Sequence, residues 1–417
     1  MAKMTGTAKG TSLAVIAVLV GVTLITRAGF EKPTDGCYGD ADEACDSRRI
    51  KTRKNRILRR AGGRHQGPVN ITIGFERSDS NEVPSEALPQ CYSNPAADPA
   101  KGAWHQSLNG IDDSPANMLG WEDSFSSGEL VRTCSNTWDV DHSGEGSMPY
   151  FTWEAEECSL AAIDPENFCR IMNGRKGILF VGDSLSHIMT TTLVASLRAK
   201  SVQWGSVRLA MMGAEWSACN GSLPIAFKRN DALLTDTEDF PGDLCPTDRK
   251  ALCSVFADEA TLSRFDTLVV NSGAHSRPLE TYAPAMNLTS KTLTAIMNRL
   301  HGDQAILVAR NTVPGHWNCT ERMFGGPVEL DVALELVSLA PEAHGWSNFQ
   351  TSNVALKAAF QANHWWYLDA YAATILRPDN HHGGKDCLHY CVPGPMDHWV
   401  RLLYNIFLVA TGSNALP

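Results

Sequence analysis

The sequence lacks an excess of positive charge. Its 36 lysines and arginines are outnumbered by 46 aspartates and glutamates, which leaves a formal net charge of -10 at pH 7. Nucleic-acid-binding proteins generally carry a basic surface that meets the phosphate backbone, so no nucleic-acid partner is expected. A local basic run between Arg48 and Arg64 is typical of a solvated, flexible segment.

The chain also lacks the repeated Cys-x-x-Cys spacing of a zinc site. Its 12 cysteines are even in number and spread through the chain, which favours disulfide bonds and an oxidising compartment. No ligand cluster accompanies His381 and His382, so we expect no metal and no bound cofactor. Asn-x-Ser/Thr sequons agree with a secretory compartment and predict glycosylation at Asn70, Asn220, Asn287 and Asn318.

Long hydrophobic runs are scarce, and the clearest one lies near the N-terminus. Residues 12–26 are apolar and uncharged, behind Lys3 and Lys9 and ahead of Arg27. This pattern fits either a signal peptide or a short membrane anchor, and the lack of a clean small-x-small cleavage site favours the anchor. We therefore predict a cytosolic tail (1–11), a signal anchor (12–28), a stem or linker (29–89) and a lumenal domain (90–417).

The lumenal region shows no internal repeat, but short apolar runs alternate in it with helical runs. With 43% hydrophobic residues, the chain has ample apolar material for a large core. Such alternation indicates an α/β fold with a mostly parallel sheet and helices on both faces. The predicted strands are 177–181, 207–211, 267–271, 305–308 and 366–368; the predicted helices are 186–200, 290–300, 331–339, 353–362 and 398–410.

The N-terminal part of the lumenal region has a different composition. Between Cys91 and Ser147 three tryptophans stand among many glycine, serine, asparagine and aspartate residues. Such a mixture is typical of irregular structure rather than of regular layers. We expect a loop-rich, disulfide-held subregion there.

One stretch places a candidate nucleophile at the end of a buried strand. Phe180-Val181-Gly182-Asp183-Ser184-Leu185 follows an apolar run and precedes a helical one. The small Gly182 permits a tight turn that presents the Ser184 hydroxyl at the carboxyl edge of the sheet and its N–H at a helix N-terminus. Alternatively, Asp183 and Ser184 simply cap the helix.

The C-terminal part supplies a candidate base. A serine hydroxyl needs a neighbouring base to take its proton, and that base usually needs a third group to hold its tautomer. Asp386 precedes His389 by three residues, on a turn that Cys387 and Cys391 are placed to tie down. Taken alone, the pair also fits an Asp-capped turn with a surface histidine.

From about Cys134 to Tyr404 the chain resembles the trichome-birefringence-like and PC-esterase group of the GDSL/SGNH superfamily. The residues that carry the resemblance are Gly177–Leu185, Val270–Gly273, Leu368-Asp369, Arg377–His381 and Asp386–Gly394, with Asp397, Trp399 and Leu402–Tyr404 behind them. The resemblance implies an SGNH-hydrolase-like three-layer fold around a central, mostly parallel sheet.

The resemblance also implies roles for individual residues. Ser184 is expected to be the nucleophile, His389 the general base and acid, and Asp386 the group that orients His389. The oxyanion hole is expected to combine the Ser184 N–H with Asn271, which matches the family's asparagine. Gly213 is a further candidate donor because it follows the second predicted strand.

The chain departs from the family pattern after Asn271. Ala274-His275-Ser276-Arg277 stands where plant members usually carry His-Trp-Trp, which puts acceptor specificity in doubt. Two readings are open for His275: it lines an acceptor groove, or it lies on the surface.

The implied function is acyl transfer. We expect a single-pass type II Golgi enzyme that moves an acetyl group from a donor co-substrate to hydroxyls of a polysaccharide or glycan through an acyl-serine. A secreted location is the alternative. Two other functions fit the same residues: an esterase of carbohydrates or lipids that uses water as acceptor, and a non-catalytic wall-glycan-binding protein.

Overall fold

The computed structural model describes residues 88–108, 150–203, 213–233, 258–275, 278–319, 324–341, 345–383 and 386–412. All of them belong to one compact unit, Gly63–Pro417. The predicted tail, anchor and nearly all of the stem lie outside these residues, as do strand 207–211 and Asn70. Among the described helices, none has both the length and the apolar character of a membrane span. The predicted domain bounds stay predictions.

A seven-stranded sheet forms the centre of the fold. Its members are β3 (Ile178–Gly182), β4 (Lys200–Gln203), β5 (Gly213–Ala218), β6 (Leu223–Arg229), β7 (Thr267–Val270), β8 (Ile306–Arg310) and β9 (Trp366–Leu368). They lie in the order β4-β5-β6-β3-β7-β8-β9. Five neighbouring strands, β6, β3, β7, β8 and β9, are parallel to one another. At the β6 edge, β5 pairs antiparallel with β6, and β4 pairs antiparallel with β5. The mostly parallel sheet is therefore confirmed.

Helices cover both faces of this sheet. They are α1 (Pro165–Ile171), α2 (Ser184–Ser196), α3 (Glu259–Leu262), α4 (Leu279–His301), α5 (Leu330–Ser338), α6 (Phe349–Gln361), α7 (Tyr371–Thr374) and α8 (Pro395–Ala410). Side chains of a strand point alternately to opposite faces. Phe180 of β3 accordingly belongs to the core beneath α2 and α8, and its neighbour Val181 to the core beneath α4 and α6. This gives the expected three layers.

Two small hairpins lie outside the central sheet. Strand β1 (Gly102–Gln106) pairs antiparallel with β2 (Phe151–Ala155), and β10 (His381–Gly383) pairs antiparallel with β11 (Asp386–Tyr390). The predicted loop-rich subregion is disulfide-held in its described part, through Cys91–Cys158. It also contains β1, which the sequence pattern did not predict.

Candidate active site

Ser184 lies at the junction of β3 and α2. The strand ends at Gly182, the helix begins at Ser184, and Asp183 between them is the N-cap. The Asp183 carboxylate accepts hydrogen bonds from the N–H groups of Leu185 (2.9 Å) and Ser186 (3.4 Å). Helix capping and nucleophile presentation are therefore compatible. Because Ser184 is the first helical residue, its own N–H has no partner inside the helix.

The lack of space around position 182 requires a glycine there. A Cβ at this position would lie 2.8 Å from the backbone oxygen of Asn271 and would also collide with the Ser186 hydroxyl. Contacts this short force atoms to move. The tight approach of β3 to the end of β7 therefore depends on a residue without a side chain.

The structure brings together Ser184, His389 and Asp386. His389 Nε2 lies 2.7 Å from Ser184 Oγ. Its Nδ1 lies 2.9 Å from Asp386 Oδ2 and 3.0 Å from Oδ1, so the carboxylate accepts the Nδ1–H and leaves Nε2 to accept the serine proton. The side chains of His389 and Asp386 are 27% and 38% exposed, which leaves the group open to small molecules.

Residues 314–319 hold β11, the strand that carries His389. A disulfide joins Cys319 to Cys387, and the His316 N–H donates to the Cys387 carbonyl oxygen at 3.0 Å. The Tyr390 hydroxyl donates to the Pro314 carbonyl oxygen at 2.7 Å. Cys391 is also disulfide-bonded. Asp386 and His389 therefore lie on a hairpin that is anchored by covalent and hydrogen bonds.

Two buried, oppositely charged residues lie at the turn that carries Ser184. Asp183 and Arg310 are both buried, and the attraction between them favours the charged guanidinium. Burial lowers the pKa of Arg310 to about 10, and Asp183 opposes this shift. Arg310 donates to Ser186 Oγ at 3.2 Å and lies 4.6 Å from the ring centroid of Trp399. Arg310 is not among the site residues predicted from sequence, and the signal for it is an arginine directly after four apolar residues of a buried strand.

Asn271 is committed to the protein's own backbone and side chains. Its buried amide donates to the Arg310 carbonyl oxygen at 3.0 Å and to Thr312 Oγ1 at 2.9 Å. An asparagine amide has two N–H donors, and both are used by these contacts. The predicted oxyanion role of Asn271 therefore finds no support in the geometry.

Gly213 lies two strands away from β3, and its role as an oxyanion donor stays a prediction. It begins β5, which is antiparallel and separated from β3 by β6. The parallel strand beside β3 is β6, and the residue that follows it is Asn230, whose N–H donates to the Gly182 carbonyl oxygen at 3.0 Å. The Ser184 N–H is left as the better-placed oxyanion candidate.

A second acid–histidine pair lies at the same edge of the sheet. His275 Nε2 is 3.1 Å from Asp231 Oδ2, and Asp231 also binds Arg229 at 2.7 Å. Burial raises the pKa of Asp231, and Arg229 and His275 partly counter this shift. The side chain of His275 is 37% exposed, so this residue is partly buried and in contact with a carboxylate rather than a plain surface residue.

In the part of the chain that the structure describes, no group of three His, Cys, Asp or Glu side chains is arranged to hold a metal. Asn220 and Asn287 are exposed, and Asn318 is half-buried beside Cys319. Glycosylation at these positions stays a prediction.

Comparisons with known proteins agree with the geometry of the site. Residues 334–406 match the PC-Esterase model, the GDSL/SGNH-like acyl-esterase family found in Pmr5 and Cas1p. This segment includes Asp386 and His389. Protein trichome birefringence-like 20 of Arabidopsis thaliana is 24% identical over 305 residues, which are 61% of this chain and 62% of that protein. The chain thus spans about three fifths of that relative.

Two further similarities are broader in coverage. Xyloglucan O-acetyltransferase 1 of Arabidopsis thaliana is 21% identical over 392 residues, 80% of this chain and 86% of that protein. The periplasmic domain of a lipopolysaccharide acetyltransferase from Salmonella ser. Paratyphi A has 12% identity and a TM-score of 0.31, over 72% of this chain and 98% of that one; so weak a likeness carries no argument. The matched segment and the plant relatives confirm the resemblance of this chain to the trichome-birefringence-like and PC-esterase family.

Proposed function

We propose that the protein is an O-acetyltransferase that transfers an acetyl group to hydroxyls of a polysaccharide or glycan. The observation that carries the proposal is the unbroken chain of contacts from Asp386 through His389 to Ser184. The relative named as a xyloglucan O-acetyltransferase supports a sugar acceptor. The Golgi location and the N-terminal anchor belong to the same proposal; the three disulfides among the described residues support an oxidising lumen.

In the first half of the reaction, Ser184 takes the acetyl group from the donor. Its Oγ attacks the acyl carbonyl carbon while its proton moves to His389 Nε2, and Asp386 stabilises the imidazolium that forms. The tetrahedral oxyanion lies towards the Ser184 N–H, whose helix N-terminus favours negative charge. Collapse of this intermediate breaks the bond to the leaving group, which takes the proton from His389.

In the second half, a sugar hydroxyl removes the acetyl group. It gives its proton to His389 Nε2 and attacks the acyl-serine carbonyl. The second tetrahedral intermediate then expels Ser184 Oγ, which regains the proton from His389. The products are an O-acetylated sugar and free enzyme, so no further reactant is needed.

Hydrolysis is the second candidate function. The partial exposure of His389 and Asp386 lets water reach the position that a sugar hydroxyl would occupy. Water attacking the acyl-serine gives a free acid, which makes the protein an esterase with the same three residues. A purely glycan-binding role is less well supported, because a binding protein has no need for a serine in contact with a histidine–carboxylate pair.

Mass spectrometry of the full chain separates these functions. The protein is incubated with an activated acetyl ester, with and without a panel of polysaccharides, beside Ser184→Ala and the control Ser263→Ala, which changes an exposed serine on the surface. If wild type and Ser263→Ala place acetyl groups on a glycan and Ser184→Ala does not, the protein is a transferase. Donor hydrolysis at one rate with every glycan would establish an esterase. A Ser184→Ala variant as active as wild type would overturn both.

A further inference from the structure

A chain of two buried histidines leads to the backbone of His389. His316 Nδ1 lies 2.7 Å from His381 Nε2. At the outer ends, His316 Nε2 lies 2.7 Å from the Ile375 carbonyl oxygen and His381 Nδ1 lies 3.0 Å from the carbonyl oxygen of His389. The two rings are 0% and 5% exposed, so bulk water does not compete for these contacts.

The contacts fix the number of protons on the two rings. A carbonyl oxygen only accepts hydrogen bonds, so both outer nitrogens must carry a proton. Two neutral imidazoles have two protons in all, and both are then used at the ends. The two inner nitrogens would face each other at 2.7 Å with only lone pairs between them. One additional proton removes this conflict and gives the pair a single positive charge.

The surroundings place this charge on His381. Burial lowers the pKa of His316 to about 4, which keeps that ring neutral although the Ile375 carbonyl and Asp379 act in the opposite direction. The ring of His381 lies 4.2 Å from the ring centroid of Tyr390, tilted by 31°, and an aromatic face stabilises a cation. Asp379 and Arg377 are two charged groups that act on this cluster, and they bind each other at 2.8 Å.

We propose that His381 is a buried imidazolium and a positioning residue for His389. It donates one N–H to neutral His316 and the other to the His389 carbonyl oxygen, and it thereby fixes the strand that presents the His389 ring to Ser184. The charge on His381 is independent of the proposed function, whereas its effect on the reaction rests on it.

Nitrogen NMR of histidine-labelled full chain in detergent tests the charge directly. An imidazolium has two protonated nitrogens and a neutral ring has one, and the two forms differ clearly in nitrogen chemical shift. His381→Gln assigns the His381 signals by their loss. His316→Gln is the matched variant, because its amide can donate to Ile375 and accept from His381. His105→Gln, at an exposed position, is the surface control.

The expected result is a doubly protonated ring at pH 7 that persists in His316→Gln and vanishes in His381→Gln. An unprotonated His381 nitrogen in wild type would overturn the proposal, and this NMR measurement needs no active enzyme. If His381→Gln fails to fold, the His381 ring is identified as the doubly protonated ring whose nitrogen shifts change in His316→Gln, because the two rings are in contact.

Labelling of Ser184 by a serine-directed phosphonate tests the positioning role. Loss of the nearby cation favours protonation of His389, so in His381→Gln the half-maximal pH of labelling should rise by about one unit. In His316→Gln and His105→Gln the rate of Ser184 labelling should stay within about twofold of the wild-type rate. Identical pH profiles for His381→Gln and wild type would refute the role. Absence of labelling in wild type, with His381 doubly protonated, would refute the proposed function alone.

Discussion

His389 Nε2 lies 2.7 Å from Ser184 Oγ although 205 positions separate the two residues in the sequence. The serine begins α2, just after strand β3 of the central sheet, whereas the histidine belongs to the separate β10–β11 hairpin. Their contact therefore depends on how firmly the hairpin is attached. This dependence shapes several of the predictions below.

Removing members of the triad should have unequal effects. Ser184→Ala should lower turnover on the order of 10⁴- to 10⁶-fold, because the attacking atom is lost. Asp386→Asn should lower it about 10⁴-fold, since an amide favours the wrong tautomer of His389. Steady-state kinetics, with far-UV circular dichroism to verify folding, measures both. A decrease below tenfold for Ser184→Ala would show that another group is the nucleophile.

Gly182→Ala should destabilise the protein and displace Ser184. Its new methyl group would meet the Asn271 backbone and the Ser186 hydroxyl, which should cost about 2–3 kcal/mol. A shift of the serine should also reduce its labelling by about 100-fold. Urea unfolding gives the first quantity. In the control Gly325→Ala the added methyl meets no atom within 4 Å, and a similar loss there would contradict the steric argument.

Two disulfides offer a matched comparison. Cys319–Cys387 spans 68 positions and Cys169–Cys219 spans 50, so loop-entropy estimates give a similar loss of about 4 kcal/mol for removing either one. Only the first holds the strand of His389. The Cys319→Ala/Cys387→Ala variant should therefore label Ser184 at least about tenfold more slowly than Cys169→Ala/Cys219→Ala. Equal rates, measured where both variants are folded, would exclude an anchoring role.

Asn271→Ala tests whether this side chain serves the oxyanion or the fold. Loss of its hydrogen bonds to Arg310 and Thr312 should reduce the free energy of unfolding by about 2 kcal/mol. The rate of Ser184 labelling per folded molecule should change less than about tenfold. A fall of 10²- to 10³-fold at unchanged stability is what an oxyanion donor would give, and that result would reinstate the role predicted from sequence.

Acid should weaken the fold through buried histidines. Burial lowers the pKa of His187 from 6.5 to about 4 and that of His398 to about 3. Below pH 6.5 the unfolded chain binds protons that the folded chain does not, so stability is full above that pH and falls as the pH drops towards 4.

Each histidine should contribute up to about 1.4 kcal/mol per pH unit to this loss. Urea unfolding at several pH values between 7.5 and 4.5 measures the slope. His398→Phe keeps an aromatic ring beside Trp104 and Trp153 and should flatten the slope, whereas the exposed His105→Gln should not. Parallel slopes for all three proteins would contradict the assignment to His398.

Local patterns predicted the grouping of Ser184 with Asp386 and His389, because each half is continuous in sequence; the catalytic roles of the three residues stay predictions. The β3–α2 junction around Ser184 combines an apolar run, a glycine and a helix start within a few residues, and Asp386 and His389 share one short strand. The contact between the halves was inferred from chemistry. The amide partners of Asn271 could not be foreseen, because Arg310 and Thr312 lie 39 and 41 positions further along the chain.

The bounds of several elements were wrong for identifiable reasons. Strand β6 was missed because Pro224, Lys228 and Arg229 interrupt its apolar pattern, although β6 lies directly beside β3. Helix α4 begins at Leu279, eleven positions before the predicted start, because Pro284 is accommodated near its N-terminus. The β1–β2 hairpin joins strands on either side of residues 107–150, a pairing that no local signal specifies.

The placement of both Asp386 and His389 on β11 has a practical consequence under the proposed function. Substitutions confined to Asp386–His389 would remove proton transfer while leaving β3, α2 and the rest of the sheet edge unaltered. Such a protein would keep the surface that recognises its reactants but could not turn them over. It would serve as a substrate trap, able to retain the natural donor and acceptor from a crude extract long enough for both to be identified.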